Sequence, residues 1–377
     1  MTGGALTDVL PSSAALLGVP GCTDALGLDR WTDGREVPAV VVLLVDGLGW
    51  NLLLANLDVA PFLAELVRAG ADPVTVGFPS TTATSIASLG TGQTAGRHGL
   101  VGYTFALPGS DAPLNALRWD TGADPLDVQP VPTVLERSSD AGVDVVHVAL
   151  RSFEGSGLTR AALRGARYPG ADTLGEAVQV TAAVTAEAAA GPRRALVYVY
   201  TGDLDNVGHI RGSGSDGWRA QLEQVDLFVR QLHRSLPPGV LLLVTADHGM
   251  VDVGPTDRVD VDAEPLLRAG VRLVAGEPRA RHVYARAGAA PDVLAAWRER
   301  LGDTAQVLSR DEVVAAGWFG SSVSPQVLPR IGDVVVAPTG ATAVVSTRAH
   351  PREARLVGYH GSTTPDEVLV PLLVSAG

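Results

Sequence analysis

Ala39-Val-Val-Val-Leu-Leu-Val45 runs directly into Asp46-Gly47. A short, uninterrupted run of Val and Leu is too brief for a core helix. It reads as a strand buried on both faces, and the carboxylate at its end marks the sheet edge where ligands bind in open α/β folds. The arrangement recurs: Ala195-Leu-Val-Tyr-Val-Tyr200 leads to Asp203, Asp205 and His209, and Val240-Leu-Leu-Leu-Val-Thr-Ala246 leads to Asp247-His248-Gly249. Three strands therefore deliver carboxylates and imidazoles to one edge.

Working outward, Val74–Phe78 and Val143–Ala149 are further apolar strand candidates. Helical patterns cover Pro61–Ala69, Ser85–Leu89, Thr173–Ala190 and Trp218–Leu236. The alternation of strand and helix predicts an α/β fold, a three-layer sandwich with a mostly parallel central sheet and helices on both faces. Beyond Asp247 the pattern loosens. Val271–Arg286 reads as a strand pair turning around Gly276, Asp292–Leu301 as a helix, and Ala305–Leu308, Asp333–Ala337 and Ala343–Ser346 as strands. The expected division is a catalytic core of residues 1–254 and 331–377, interrupted by a smaller α+β insertion, a cap, over 255–330. The Pro/Asp-rich stretch 104–133 reads as a loop or lid over the site.

Composition narrows the function. Of 377 residues, 41 are acidic and 29 basic, a net charge of −12, which argues against a nucleic-acid polymer as partner. Every basic residue is Arg; without lysine there is no P-loop lysine and no Schiff-base chemistry. The single cysteine, Cys22, rules out an internal disulfide and a multi-cysteine zinc centre. The amino terminus lacks the basic start of a secretory signal, and no apolar run is long enough to span a bilayer, so a soluble, cytoplasmic protein is expected.

Aspartate oxygens and histidine nitrogens suit Zn²⁺, with Mn²⁺ or Fe as alternatives. So many converging carboxylates need cations to neutralise them, and two divalent metals do so while serving in-line phosphoryl displacement. A nucleophile is offered by Phe78-Pro-Ser-Thr-Thr-Ala-Thr-Ser85, which follows a strand and opens a helix. A hydroxyl at a helix N-terminus sits in a field that favours negative charge; Ser80, Thr81 and Thr82 are the candidates, each equally able to serve as an N-cap.

Taken in order, Val45-Asp46-Gly47, Phe78-Pro-Ser-Thr-Thr, Thr91-Gly92, His98-Gly99, Asp205-x-x-Gly208-His209, Thr245-Ala-Asp247-His248-Gly249-Met250 and Tyr359-His360-Gly361 form a series that resembles the alkaline phosphatase superfamily, in particular its nucleotide pyrophosphatase/phosphodiesterase-type enzymes. The resemblance implies one metal held by Asp46, Asp247, His248 and the Thr82 oxygen, and a second held by Asp205, His209 and His360. It makes Thr82 the nucleophile, with Thr81 as the alternative, and implies a phospho-threonine intermediate in the hydrolysis of a small phosphate ester or nucleotide. Ser85 stands where that branch usually carries a phosphoryl-contacting Asn. Monoester or phosphonate hydrolysis, phosphoryl transfer or mutase activity, and ligand binding without turnover are the alternatives. Arg151 and Arg160 are candidate phosphate clamps, and His282 a candidate substrate contact. His147 reads as a core or strand-edge residue, His98 as a helix C-terminal feature, and His233 and His350 as surface positions.

Overall fold

The computed structural model describes residues 4–110 and 112–377. Six strands build the main sheet, in the spatial order Asp72–Thr75, Leu369–Ala376, Leu241–Thr245, Ala39–Val45, Ala195–Thr201, Asp144–Val148. The last four of these pair in parallel. Leu369–Ala376 runs antiparallel to both of its neighbours. Every residue of Ala39–Val45 and of Leu241–Thr245 is buried, as strands covered on both faces require.

Helix ends follow local chemistry. Thr173 caps Leu174–Ala190 by accepting from the Glu176 amide, and Ser215 caps Asp216–Ser235 by accepting from the Trp218 amide. The second helix buries Trp218, Leu222, Val225, Phe228, Val229 and Leu232, the apolar stripe its sequence displays. The helix expected over Ser85–Leu89 is longer, Thr82–Thr91. It begins at the candidate nucleophile itself.

A second sheet takes Val271–Glu277, Ala280–Ala285, Val334–Pro338 and Ala305–Ser309 in that order, all antiparallel, with the helix Ala290–Leu301 against it. Its hairpin turns at Pro278-Arg279 rather than at Gly276, which lies within the strand. The expected return to the main sheet at residue 331 also differs: Val334–Pro338 sits inside the smaller sheet, and Leu369–Ala376 is the strand that goes back. Both apolar runs look alike in sequence, and only the pairing distinguishes them.

The hairpin tip is riveted to the main body. Arg279, wholly buried, makes a bidentate pair with Glu367 at 2.8 and 2.7 Å and donates to the carbonyls of Gly340 and Thr342. Arg281 pairs with Glu353. His282 donates from Nε2 to the Val101 carbonyl at 2.9 Å and accepts at Nδ1 from the Gly332 amide at 3.0 Å. It is wholly buried and joins two loops, so the expectation of a substrate contact does not hold. His98 is likewise buried, between Ser88 Oγ and the Leu100 amide.

Candidate active site

The strand ends converge as the pattern at the sheet edge predicts. Asp46 follows the central strand, Asp247 and His248 follow its neighbour on one side, and Asp205 and His209 lie on the helix Asp203–Arg211 that follows its neighbour on the other. His360 arrives from the loop before the closing strand. Two glycines permit the crowding. A Cβ on Gly47, whose φ is +75°, would meet Asp205 at 3.0 Å, and one on Gly249 would meet the Asp366 carbonyl at 2.0 Å.

Two groups of potential ligands form: Asp205, His209 and His360, and Asp46, Asp205 and His248. Within them His209 Nε2 lies 3.3 Å from Asp205, His248 Nε2 lies 3.3 Å from Asp46 and 3.6 Å from Asp247, and His360 Nε2 lies 3.9 Å from Asp205. Thr82 Oγ1 is 3.2 Å from His248 Nε2. All seven expected ligand positions thus sit together, although Asp205 rather than Asp247 completes the tighter group around His248.

These residues fit divalent metals on two observations. Asp46 Oδ1, Asp205 Oδ1 and Asp247 Oδ2 are buried with no hydrogen-bond partner, and no arginine pairs with any of the three. Burial pushes all three carboxyls up, and for Asp46 the neighbouring Asp247 and Asp205 push further. Only a cation makes such a cluster stable when ionised. The imidazoles supply the second observation. Each is held through Nδ1 by a backbone carbonyl: His209 by Gly358 at 2.8 Å, His248 by Gly249 at 3.0 Å, His360 by Ser80 at 3.0 Å. That leaves every Nε2 facing the cluster, the orientation outer partners impose on metal-binding histidines. Burial depresses the basicity of His248 and His360, favouring the neutral form a metal needs.

Thr82 is the first residue of its helix and Thr81 the cap, so the nucleophile candidate stands where the backbone amides favour negative charge. Ser85, one turn on, has a buried Oγ without a partner. Arg151 and Arg160 do not join the cluster; they pair with Asp172 at 2.5 Å and Asp124 at 3.4 Å. Three neighbours escaped the sequence reading. Tyr200 donates to Asp46 Oδ2 at 2.5 Å, a role its position two residues into a strand end could have signalled. Arg118, from the stretch read as a lid, lines the adjoining cavity. Glu277 reaches in from the smaller sheet, and nothing local in its sequence announces it.

A parallel α/β sheet that gathers buried Asp and His ligands at one edge, with a threonine at a helix start among them, defines an alkaline-phosphatase-type fold. The chain belongs to the type I phosphodiesterase/nucleotide pyrophosphatase family, whose sequence model matches residues 40–363. Its fold is similar to that of murine ectonucleotide pyrophosphatase/phosphodiesterase 5, solved as an inactive variant with AMP (TM-score 0.70, 17% identity, 88% of this chain and 87% of that one). It is also similar to phosphonoacetate hydrolase of Sinorhizobium meliloti 1021, solved with phosphonoformate (TM-score 0.68, 18% identity, 91% and 92%). In sequence it is similar to phosphopentomutases of Idiomarina loihiensis (28% over 162 residues, 42% of this chain) and Allorhizobium ampelinum (34% over 167 residues, 42%). Those matches span 38% and 37% of the mutases' own lengths. No helix among the described residues is long and apolar enough to cross a membrane.

Proposed function

We propose that the chain hydrolyses phosphate esters, diesters or pyrophosphates by preference, through a phospho-threonine at Thr82. The observation that carries this reading is the Thr82 hydroxyl 3.2 Å from His248 Nε2, at a helix N-terminus, in a cluster where Asp46, Asp205 and Asp247 each keep one buried oxygen without a partner. Two divalent ions, Zn²⁺ by the donor set, would be held by Asp46, Asp247, His248 and Thr82 and by Asp205, His209 and His360; they supply charge neutralisation and Lewis acidity. Thr82 Oγ gives its proton to solvent, a loss that the cations held around it would favour, and attacks phosphorus in line. The Oγ–P bond forms as the bond to the leaving oxygen breaks, and that oxygen departs with the electron pair. Water then cleaves Oγ–P from the vacated side, giving net retention at phosphorus. Tyr200 fixes Asp46, and the three backbone carbonyls fix the imidazoles, so the donors need no rearrangement during the reaction. The inactive murine neighbour carries a threonine-to-alanine change, which supports a threonine nucleophile on this fold.

Diesters are favoured because a monoester dianion requires additional cations, and among the described residues the adjoining cavity offers one arginine, Arg118, against Asp46, Asp172, Asp203 and Asp205. The similarity to phosphopentomutases supports a second reading, phosphoryl transfer to an alcohol instead of water. The test is kcat/KM for bis-p-nitrophenyl phosphate against p-nitrophenyl phosphate with zinc-loaded protein, with Thr82→Ala alongside. A diester preference abolished in Thr82→Ala is expected. Full activity of that variant would refute the scheme, and a phosphorylated product that appears only with an added sugar would favour the mutase reading.

A further inference from the structure

Thr81 caps the helix Thr82–Thr91 with its backbone alone. Its φ and ψ, −140° and 146°, nearly match those of Thr173, −133° and 155°, whose hydroxyl accepts from the Glu176 amide. The Thr81 hydroxyl accepts from no amide of its own helix. Among the described residues nothing accepts from the Ala83 or Thr84 amide, the two donors that a capping side chain satisfies. The first backbone bond of this helix start runs from the Ser85 amide to the Thr81 carbonyl, at 2.9 Å. Two amides therefore stay open beside Thr82, on residues that are themselves buried. Ser85, buried as well, adds a hydroxyl without a partner to the same helix start. A buried helix end that leaves its cap unused is destabilising, so another group must hold the Thr81 side chain away.

Glu277 stands in the place to do so. It ends the strand Val271–Glu277 of the smaller sheet and is buried, and the Thr81 hydroxyl lies beside its carboxyl. Three contacts fix the carboxyl there. Its Oε2 accepts from the Tyr103 amide at 2.9 Å. The preceding Gly276 donates to Thr104 Oγ1 at 2.8 Å and accepts from it at 3.0 Å. The Glu277 Cγ occupies the space that a Cβ on Gly361 would need, 2.9 Å away. The Gly361 carbonyl in turn accepts from the Ser80 amide at 3.1 Å, so the turn before Thr82 is braced against the same loop. A carboxyl can hold a hydroxyl in either protonation state, as acceptor when charged and as donor when neutral.

We infer that Glu277 is a positioning residue: by holding the Thr81 hydroxyl out of the capping position, it keeps the Ala83 and Thr84 amides open to the phosphoryl oxygens of the group transferred to Thr82. It acts through Thr81 and touches no substrate. The consequence for turnover rests on the hydrolase reading above; the state of the two amides does not.

The experiment reads both, on zinc-loaded full-length protein. Amide hydrogen exchange of Ala83 and Thr84 is followed by NMR, and kcat is measured with bis-p-nitrophenyl phosphate. In Glu277→Leu the Thr81 hydroxyl is released to cap the helix, so exchange of at least one of the two amides should slow at least tenfold and kcat should fall at least tenfold. Glu277→Gln still holds the hydroxyl and should stay within threefold of wild type on both readouts. Adding Thr81→Val to Glu277→Leu removes the capping oxygen and should restore fast exchange and most of the lost kcat. That recovery separates the role from a structural one, since loss of the bond to Tyr103 is common to the single and the double variant. Thr81→Asn supplies a cap that does not depend on Glu277 and keeps the test open if Glu277→Leu does not fold; slower exchange and a tenfold lower kcat are expected there too. Unchanged exchange in Glu277→Leu, a kcat loss that Thr81→Val leaves in place, or a capped Thr81→Asn with full turnover would overturn the inference and leave the hydrolase standing. The expected pattern of exchange with no hydrolysis of any ester would support the hold of Glu277 on Thr81 and overturn the hydrolase.

Discussion

Glu277→Gln isolates the energetic consequence of burying a carboxyl from the smaller sheet against the Tyr103 amide. Glu277 is almost fully buried; its Oε2 accepts from the Tyr103 amide at 2.9 Å, its Oε1 has no partner, and a Cβ on Gly361 would come within 2.9 Å of its Cγ. Burial pushes the carboxyl from 4.5 up to about 8, against the opposing pull of the Tyr103 amide and of Arg281. A carboxyl raised in the folded state binds a proton there that the unfolded chain has released, so stability falls as pH rises from about 4.5 to about 8 and levels off above. At about 1.4 kcal/mol per pH unit the cost accumulates to roughly 1 kcal/mol at pH 5.5, roughly 3 kcal/mol at pH 7 and on the order of 5 kcal/mol above pH 8. Glutamine keeps the acceptor for Tyr103 and carries no charge at any of these pH values. Thermal unfolding of zinc-loaded wild type and Glu277→Gln at pH 5, 7 and 8.5 should therefore give nearly equal Tm at pH 5 and a gap in favour of the variant that widens with pH. Parallel profiles, or a variant less stable at pH 8.5, would refute the reasoning.

Ser85→Ala removes a buried hydroxyl that has no partner in the protein and lies on the same helix face as Thr82; kcat for bis-p-nitrophenyl phosphate should drop roughly tenfold with the Tm unchanged or raised, and an unchanged kcat would exclude a phosphoryl contact. Chelating the metal should lower the Tm together with activity, because three buried carboxylates lose their counter-charge; at free zinc a thousand times its Kd the loaded protein should be about 4 kcal/mol more stable, and an unmoved Tm would refute the ligand assignment. Arg279→Met should cost about 3–5 kcal/mol by stranding Glu367, whereas Arg279→Met with Glu367→Leu should recover most of that stability. Glu367 Oε1 also accepts from the Ser362 amide at 2.9 Å, a bond the double variant loses in the loop that carries His360, so that variant should bind zinc more weakly even when refolded; chelator competition decides.

The fold was legible where a strand is buried on both faces. Ala39–Val45 has no alternation to misread, and its carboxyl-terminal Asp46 is fixed at the sheet edge by that strand alone. Legibility fails where the same apolar signature serves two sheets. Val334–Pro338 and Leu369–Ala376 are both short valine- and leucine-rich runs, yet one pairs with Ala280–Ala285 and the other with Leu241–Thr245. The difference lies in long-range partners, which a local pattern does not encode. The hairpin turn follows similar logic. Gly276 attracts attention as a glycine between apolar runs, but its φ of +88° answers the Ala280 carbonyl, 2.0 Å from where a Cβ would sit, while Pro278-Arg279 makes the turn.

The candidate site divides along the same line. Residues that act from a strand end or a helix start carry their chemistry with their position, and Asp46, Asp205, Asp247, His248 and Thr82 could be singled out from the apolar runs before them. His360 had no such signal; its place comes from the Ser80 carbonyl that holds its Nδ1 across 280 residues, and only the family resemblance named it. Glu277 and Arg279 had neither signal. Each is a charged residue in the hairpin, and each is buried because the smaller sheet leans its turn onto the loop from Tyr359 to Glu367. That contact gives the smaller sheet a physical role at the site. The loop it grips carries His360 and reaches Ser80 through Ser362, so the turn before Thr82, one imidazole and the His248 strand end are all tied to a single buried ion pair. The spacing of the two ligand groups is then a property of how the two sheets are joined, and substitutions at the joint should alter metal affinity before they alter the fold.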